Sequence, residues 1–319
     1  MSGIDPPAAG SCGAVLIVST TDTGQGAEAK PQILHADARP HAHGAGPAGP
    51  LRGRPCYLER IPTLSGCSMS QAARSEPPVS PLAARLLHRD GMVLVLDKPA
   101  GLPVHPGPKG GETLHDHLNG LRFGLPRAPE LAHRLDKDTS GCLVLGRHGK
   151  ALALLNRLFA EGQADKTYVA VTRGAPAEET GRIDQPLAKR SPHRGWWMQA
   201  VPKGTPGGLE AVTDWRVLAR TEGLAVMALS PVTGRTHQLR AHLSHIGFPI
   251  LGDSIYGGAS RLPGGPMLHL HSRRIVLPVA KNGPAIDARA PLPPHMVETL
   301  TALGLESAAI EAAADTAFD

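Results

Sequence analysis

The sequence predicts an α+β fold, with an antiparallel or mixed sheet carrying a few helices. Two observations predict it: strand-like segments outnumber helical ones, and neighbouring strand-like segments are often joined by short turns. No internal repeat competes with this reading. The patterned part begins after a proline-rich boundary, "SEPPVSPL", at residues 75–82. "MVLVLDKPAG" (92–101) reads as a short buried strand running into a Pro-Gly turn. "ELAHRLD" (130–136) and "CLVLGR" (142–147) read as two strands flanking the polar turn "KDTSG". In 149–163, Leu152, Leu155, Leu158 and Phe159 recur at helical spacing. "KTYVAVTRG" (166–174) alternates and is β-branched, so it reads as a strand. The segments 210–220 and 223–231 are further strands, the second ending at "VTGRT". Residues 236–247 form a short helix with Thr236 as N-cap and Gly247 closing it. Residues 267–278 are a strand, and 293–304 a helix with proline at its start and Gly304 at its end. The alanine- and acid-rich stretch 306–319 extends a helix or frays.

Composition bounds the function classes. The chain has 319 residues, enough for one large domain or two ordinary ones. Between Met1 and Ser68 Tyr57 is the sole aromatic, amid abundant Gly and Pro. Such a stretch buries too little apolar surface to offset its ordering entropy. The formal net charge of +5 suits a polyanionic partner without specifying one. The cysteines Cys12, Cys56, Cys67 and Cys142 form no C-x-x-C pair, so reduced thiols are expected rather than a disulfide framework or zinc ribbon. No apolar run reaches the roughly 20 residues of a membrane span. "AVLIV" (14–18) is short and lacks a basic flank before it, a poor signal peptide. The expectation is a cytoplasmic protein.

Four groups of residues are candidates for chemistry. Asp136 either helps form an Asx-type turn between strands or stands as a catalytic carboxylate at a strand end, beside His133 and Arg134. "GRTHQLRAH" gathers Arg235, His237, Arg240 and His242, either as a solvated basic face or as an anion site. Were Arg240 to point at Asp136, it would supply that aspartate's counter-charge. The 16 histidines invite a metal test, with His242 and His245 three apart and His269 and His271 on one strand face. None sits in H-E-x-x-H and no cysteine lies near in sequence, so no metal is expected. Lys98 lies in "DKPAG", and "GPKGGET" shares only glycine content with a phosphate loop. No dinucleotide fingerprint follows a strand.

Five motifs stand in order along the chain: "VLDKPAGLPVHPG", "HRLDKDTSGCLVLGR", "KTYVAV", "PVTGRTHQLRAHLSHIGFPILGDSIYGG" and "LHLHSRRIVL". Together they resemble the RluA-type RNA pseudouridine synthases over residues 82–292. The resemblance implies a mixed, largely antiparallel sheet with flanking helices and a central cleft. It implies an isomerase that converts uridine to pseudouridine in structured RNA, without cofactor or metal. By resemblance Asp136 is the catalytic carboxylate, Tyr168 stacks on the uracil and assists proton transfer, and Arg240 pairs with the aspartate. Arg134, with His133, Arg235 and Leu239, is implied on the substrate side, Arg134 filling the gap left by a flipped base. Lys189, Arg190, His193 and Arg194, near Trp196 and Trp197, are candidate RNA contacts, or else a solvated loop.

Many relatives of this type carry an N-terminal S4 RNA-binding domain. Residues 1–68 have too little apolar periodicity for one, which groups the chain with the shorter members that modify large-subunit ribosomal RNA, transfer RNA or both. The expected layout is a disordered extension over 1–80, with a natural start at Met69, a catalytic domain over 81–304 and a tail over 305–319. A monomer bound to a ribosomal or transfer RNA stem-loop is expected. A non-catalytic RNA-binding relative would need neither Asp136, Tyr168 nor Arg240, and a metallohydrolase would need the metal signature that is missing.

Overall fold

A computed structural model describes residues 79–107, 110–191, 197–258, 267–280 and 282–319, all within the compact unit Gln71–Asp319. Residues 1–78 of the extension expected over 1–80, and His193, Arg194 and Trp196, lie outside the described residues. In chain order the elements are β1 (Leu86–Arg89), β2 (Val93–Lys98), α1 (Leu114–His117), β3 (Glu130–Leu131), β4 (Ser140–Gly146), α2 (Gly149–Ala160), β5 (Asp165–Arg173), β6 (Thr180–Asp184), β7 (Leu187–Lys189), β8 (Met198–Ala200), β9 (Val212–Arg220), β10 (Leu224–Pro231), α3 (Gln238–His245), β11 (Leu270–Leu277), β12 (Ile286–Arg289), α4 (Pro294–Ala302) and α5 (Ser307–Asp315).

The main sheet runs β1-β2-β4-β11-β5-β10-β9-β6, with β3 added to β4 and β12 to β11. Among these pairs only β4 with β11 is parallel, so the sheet is mixed and largely antiparallel, as the sequence predicts. β7 and β8 form a separate two-stranded ribbon. The apolar runs of β2, β4 and β5 are continuous because both faces of the sheet are covered. Leu94, Leu96, Leu143, Leu145, Tyr168 and Ala170 join Leu239 and Leu243 of α3 in one core. Their alternate neighbours point the other way: Val93, Val95, Cys142 and Val144 meet Leu155 of α2, while Val169 and Val171 meet Met296, Leu300 and Ile310 of the C-terminal helices.

Three expectations need correction. The strand expected over 130–136 is only two residues long. Ala132 still donates to the Val144 carbonyl, but the Val144 N–H then donates to the His133 ring instead of a main-chain carbonyl, so the ladder ends and 132–139 leaves as an arm. The helix expected to start at Thr236 starts at Gln238, with His237 as its N-cap. The Gln238 side chain folds back instead, accepting from the Arg235 N–H and the Thr233 hydroxyl. The stretch 306–319, expected to extend a helix or fray, instead carries a separate helix, α5, held by the fork of Arg273 on Asp315 and by Glu311 accepting the Leu292 N–H.

Candidate active site

The arm 132–139 ends in a turn closed by the Thr139 N–H donating to the Asp136 carbonyl. That bond is main-chain to main-chain, so the turn leaves the Asp136 carboxylate to face a cleft of about 830 Å³. The arm is buttressed from β2. Lys98 is fully buried, and its ammonium donates to the carbonyls of Pro99, Leu102 and Lys137 at 2.8–2.9 Å. Burial pulls the Lys98 pKa down to about 8, against the opposing charges of Asp138 and Asp136. Beyond the turn, the Ser140 hydroxyl bonds His271 Nδ1 at 2.8 Å. Gly141 takes φ 103° and lies so close to β11 that a Cβ would come within 2.2 Å of the Ser272 carbonyl oxygen.

Opposite the arm stands α3, which is buried over Gln238–Leu243, so the sequence reading of a solvated basic face does not hold for Arg240 and His242. Arg240 lays Nε and Nη2 on the two oxygens of Asp253 at 2.7 and 2.9 Å, and turns Nη1 toward Asp136 Oδ2 at 3.4 Å. Burial would lower the Arg240 pKa, but the bonds and charge of Asp253, and then Asp136, hold it above the usual value. His237 Nε2 lies 3.7 Å from Asp136 Oδ2, and its Nδ1 lies 3.1 Å from the Tyr256 hydroxyl. Burial is the largest influence on His237 and, with the charge of Arg240, outweighs Asp136, keeping the ring below its usual range.

Asp136, Tyr168, Arg240, Arg134, His133, Arg235 and Leu239 all line this cleft. Tyr168 of β5 is buried; desolvation first, with the Asp136 charge adding and Ser272 opposing, pushes its pKa to about 12. Leu239 supplies part of the apolar wall. Arg134 is exposed and makes no side-chain hydrogen bond or ion pair among the described residues. Arg235 is exposed, with Nε donating to the Glu210 carbonyl at 2.9 Å. His133 packs on Phe159 and spends Nε2 on the Val144 N–H, and burial, with the Lys166 charge, drives its pKa to about 3. Lys189 and Arg190 stand on and beside β7, with the Arg190 guanidinium 5.8 Å from the Trp197 ring.

Three of the histidines considered as metal ligands are occupied. His242 bonds Thr213 and the Gln185 carbonyl, His271 bonds Ser140 and the Ala290 carbonyl, and His269 bonds the Met267 carbonyl and Thr299. Among the described residues no three His, Cys, Asp or Glu side chains gather as a metal site. The sequence reading assigned no role to Asp253 or Tyr256, although both lie in the quoted "LGDSIYGG". Lys98 was noted there only for its motif.

The comparisons with known proteins bear on this geometry. Residues 92–245 match the family model described as RNA pseudouridylate synthase, a span that holds Asp136, Tyr168 and Arg240. An uncharacterized RNA pseudouridine synthase of Zymomonas mobilis subsp. mobilis is 44% identical over 219 residues, covering 66% of this chain and 95% of that protein. The chain belongs to the RNA pseudouridine synthase family. Members of this family are isomerases that convert uridine to pseudouridine in RNA. The ribosomal large subunit pseudouridine synthase D of Haemophilus ducreyi is 33% identical to this synthase over 254 residues, 74% of each chain. The solved structure of human RNA pseudouridylate synthase domain containing 4 superposes with a TM-score of 0.59 at 31% identity, covering 70% of this chain and 95% of that one. The synthase has, among its described residues, no helix long and apolar enough to cross a membrane.

Proposed function

We propose that this synthase isomerises specific uridines in a structured ribosomal or transfer RNA stem-loop, with Asp136 as the catalytic carboxylate. The observation that carries the reading is the convergence of Asp136, Tyr168 and Arg240 on one cleft. A paired or stacked uridine hides its glycosidic bond, so the nucleotide must first leave the helix, and in this reading Arg134, exposed on the cleft, fills the gap. Breaking the bond between N1 and C1′ builds positive charge on the ribose, which a carboxylate stabilises or traps. The uracil then turns within the cleft against Tyr168 and rejoins through C5, which loses its proton while N1 gains one. Arg240 cannot swing away during these steps, because Asp253 holds the other side of its fork. Arg235 and the Leu239 wall complete the substrate side. In this reading the synthase works as a monomer on cytoplasmic RNA, without a cofactor.

The test is to incubate transcribed ribosomal and transfer RNA with wild type and with Asp136→Asn, and to count pseudouridine. The variant should lose more than about 10³-fold in single-turnover rate. Equal pseudouridine from both proteins would reject the assignment.

A further inference from the structure

Two side chains beside Asp136 have no part in the steps above: His237 and Tyr256. His237 adopts φ 53° and ψ 20°, a left-handed conformation that it shares, among non-glycine described residues, only with Phe123. A residue with a Cβ pays about 1–3 kcal/mol there. Helix capping does not repay it, since the His237 side chain makes no cap hydrogen bond. The conformation instead delivers the ring between Asp136 and Tyr256.

Tyr256 is fixed on several sides. Its N–H donates to Asp253 Oδ1 at 3.0 Å, and its carbonyl accepts from the Ser244 hydroxyl at 3.0 Å. Its ring lies 5.4 Å from the Arg240 guanidinium and meets the His237 ring edge-on. Its hydroxyl oxygen accepts the Met198 N–H at 3.0 Å. Met198 opens β8, the partner of β7 in the ribbon that carries Lys189 beside Arg190 and Trp197.

The chemistry gives this chain a direction. At 3.7 Å the Nε2 nitrogen of His237 is in charge contact with Asp136 rather than hydrogen-bonded to it, and a carboxylate favours the tautomer with the hydrogen on that nitrogen, which leaves Nδ1 as an acceptor. The Tyr256 hydroxyl therefore donates to His237 Nδ1 while accepting from Met198. We propose that His237 and Tyr256 are positioning residues for the isomerisation, orienting the Asp136 carboxylate and tying it to the β7–β8 ribbon. The inference rests on the catalytic reading of Asp136.

The left-handed site makes the test clean, because glycine adopts φ 53° more readily than histidine. In the full chain, His237→Gly should keep its melting temperature within a few degrees. Its single-turnover rate should nonetheless fall at least about tenfold, with KM for the RNA transcript within about twofold. His237→Asn tolerates the same backbone and restores an N–H donor, so it should recover part of the rate. Tyr256→Phe keeps the ring and breaks the chain, and should lose a similar factor. The double variant Tyr256→Phe with His237→Gly should be no slower than His237→Gly, since both remove one connected device. Wild-type rate in His237→Gly, a rate loss that follows the melting temperature, no recovery in His237→Asn, or multiplicative losses in the double variant would overturn the inference. If Asp136→Asn is inactive while His237→Gly is fully active, only this inference fails. If Asp136→Asn is active, the catalytic reading fails and this one with it.

Discussion

Replacing Asp253 by asparagine should cripple the protein, although the residue stands 13 positions from the arginine it serves. Its side chain is 0% exposed and that of Arg240 5%. One oxygen accepts Arg240 Nε; the other accepts Nη2 and the N–H groups of Ile255 and Tyr256 at 2.8–3.0 Å. Every neighbour on both oxygens is a donor. Asparagine has the same shape but replaces one acceptor with an NH2 group, so in either orientation donor faces donor, and Arg240 loses its buried counter-charge. Breaking a buried pair from one side costs about 3–5 kcal/mol. At about 2–4 °C per kcal/mol for a domain of this size, the melting temperature should fall by about 6–20 °C. The loss should depend on pH. Burial alone would raise the Asp253 pKa, but the Arg240 bond and charge and the two N–H groups outweigh it and hold it below the usual value. A carboxyl depressed on folding contributes stability that is full above its unfolded value, about 3.9, and is lost as pH falls through its folded value. Thermal melts of wild type and variant should therefore stay a constant distance apart above about pH 5 and converge below about pH 4. A melting temperature within about 2 °C of wild type at pH 7 would refute this account of the pair.

Two further predictions follow from the same geometry. Tyr168→Phe keeps the ring against the cleft and removes a hydroxyl that stays protonated up to a pKa of about 12. KM for RNA should stay near wild type while the single-turnover rate drops about 10²-fold, and a rate within about twofold of wild type would mean the hydroxyl moves no proton. Gly141→Ala combines a φ of 103° with a Cβ 2.2 Å from the Ser272 oxygen. The backbone strain alone is about 1–3 kcal/mol, and the overlap forces β4 from β11 beside the Asp136 turn. Melting temperature and activity should fall together, and an unchanged melt would contradict the close approach.

The sequence made the centre of the sheet readable and its margins not. β2, β4, β5, β10 and β11 each carry a run of apolar residues, because both faces of the sheet are covered there. β9 alternates more strictly, which is also a strand signal. The helix α2 showed itself by spacing and α4 by its proline and glycine ends. β6, β7 and β12 are only three to five residues long, and their neighbours define them more than their own pattern does. The arm 132–139 was unreadable for a sharper reason. Its departure from the ladder depends on a histidine ring taking a bond that a main-chain carbonyl normally takes, and residue type alone does not reveal such an exchange.

The site shows where reading charges in sequence stops. Hydropathy counts Arg240 and His242 as polar and so turns α3 outward, whereas the helix is buried because each charge or ring nitrogen meets a partner far along the chain. The partner, not the residue, decides the face, and Asp253 could be recognised only once its oxygens were seen to collect four donors. The same holds for Asp136. Its residue type suits a turn-former and a catalytic carboxylate alike, yet the turn is closed by its carbonyl, which leaves the carboxylate for the cleft. Lys98 and Gly141 then restrain the two ends of that turn, the first through the Lys137 carbonyl and the second through contact with β11. A single residue thus shapes the main chain with one group and faces the cleft with another, and the rigidity of the first is what fixes the position of the second.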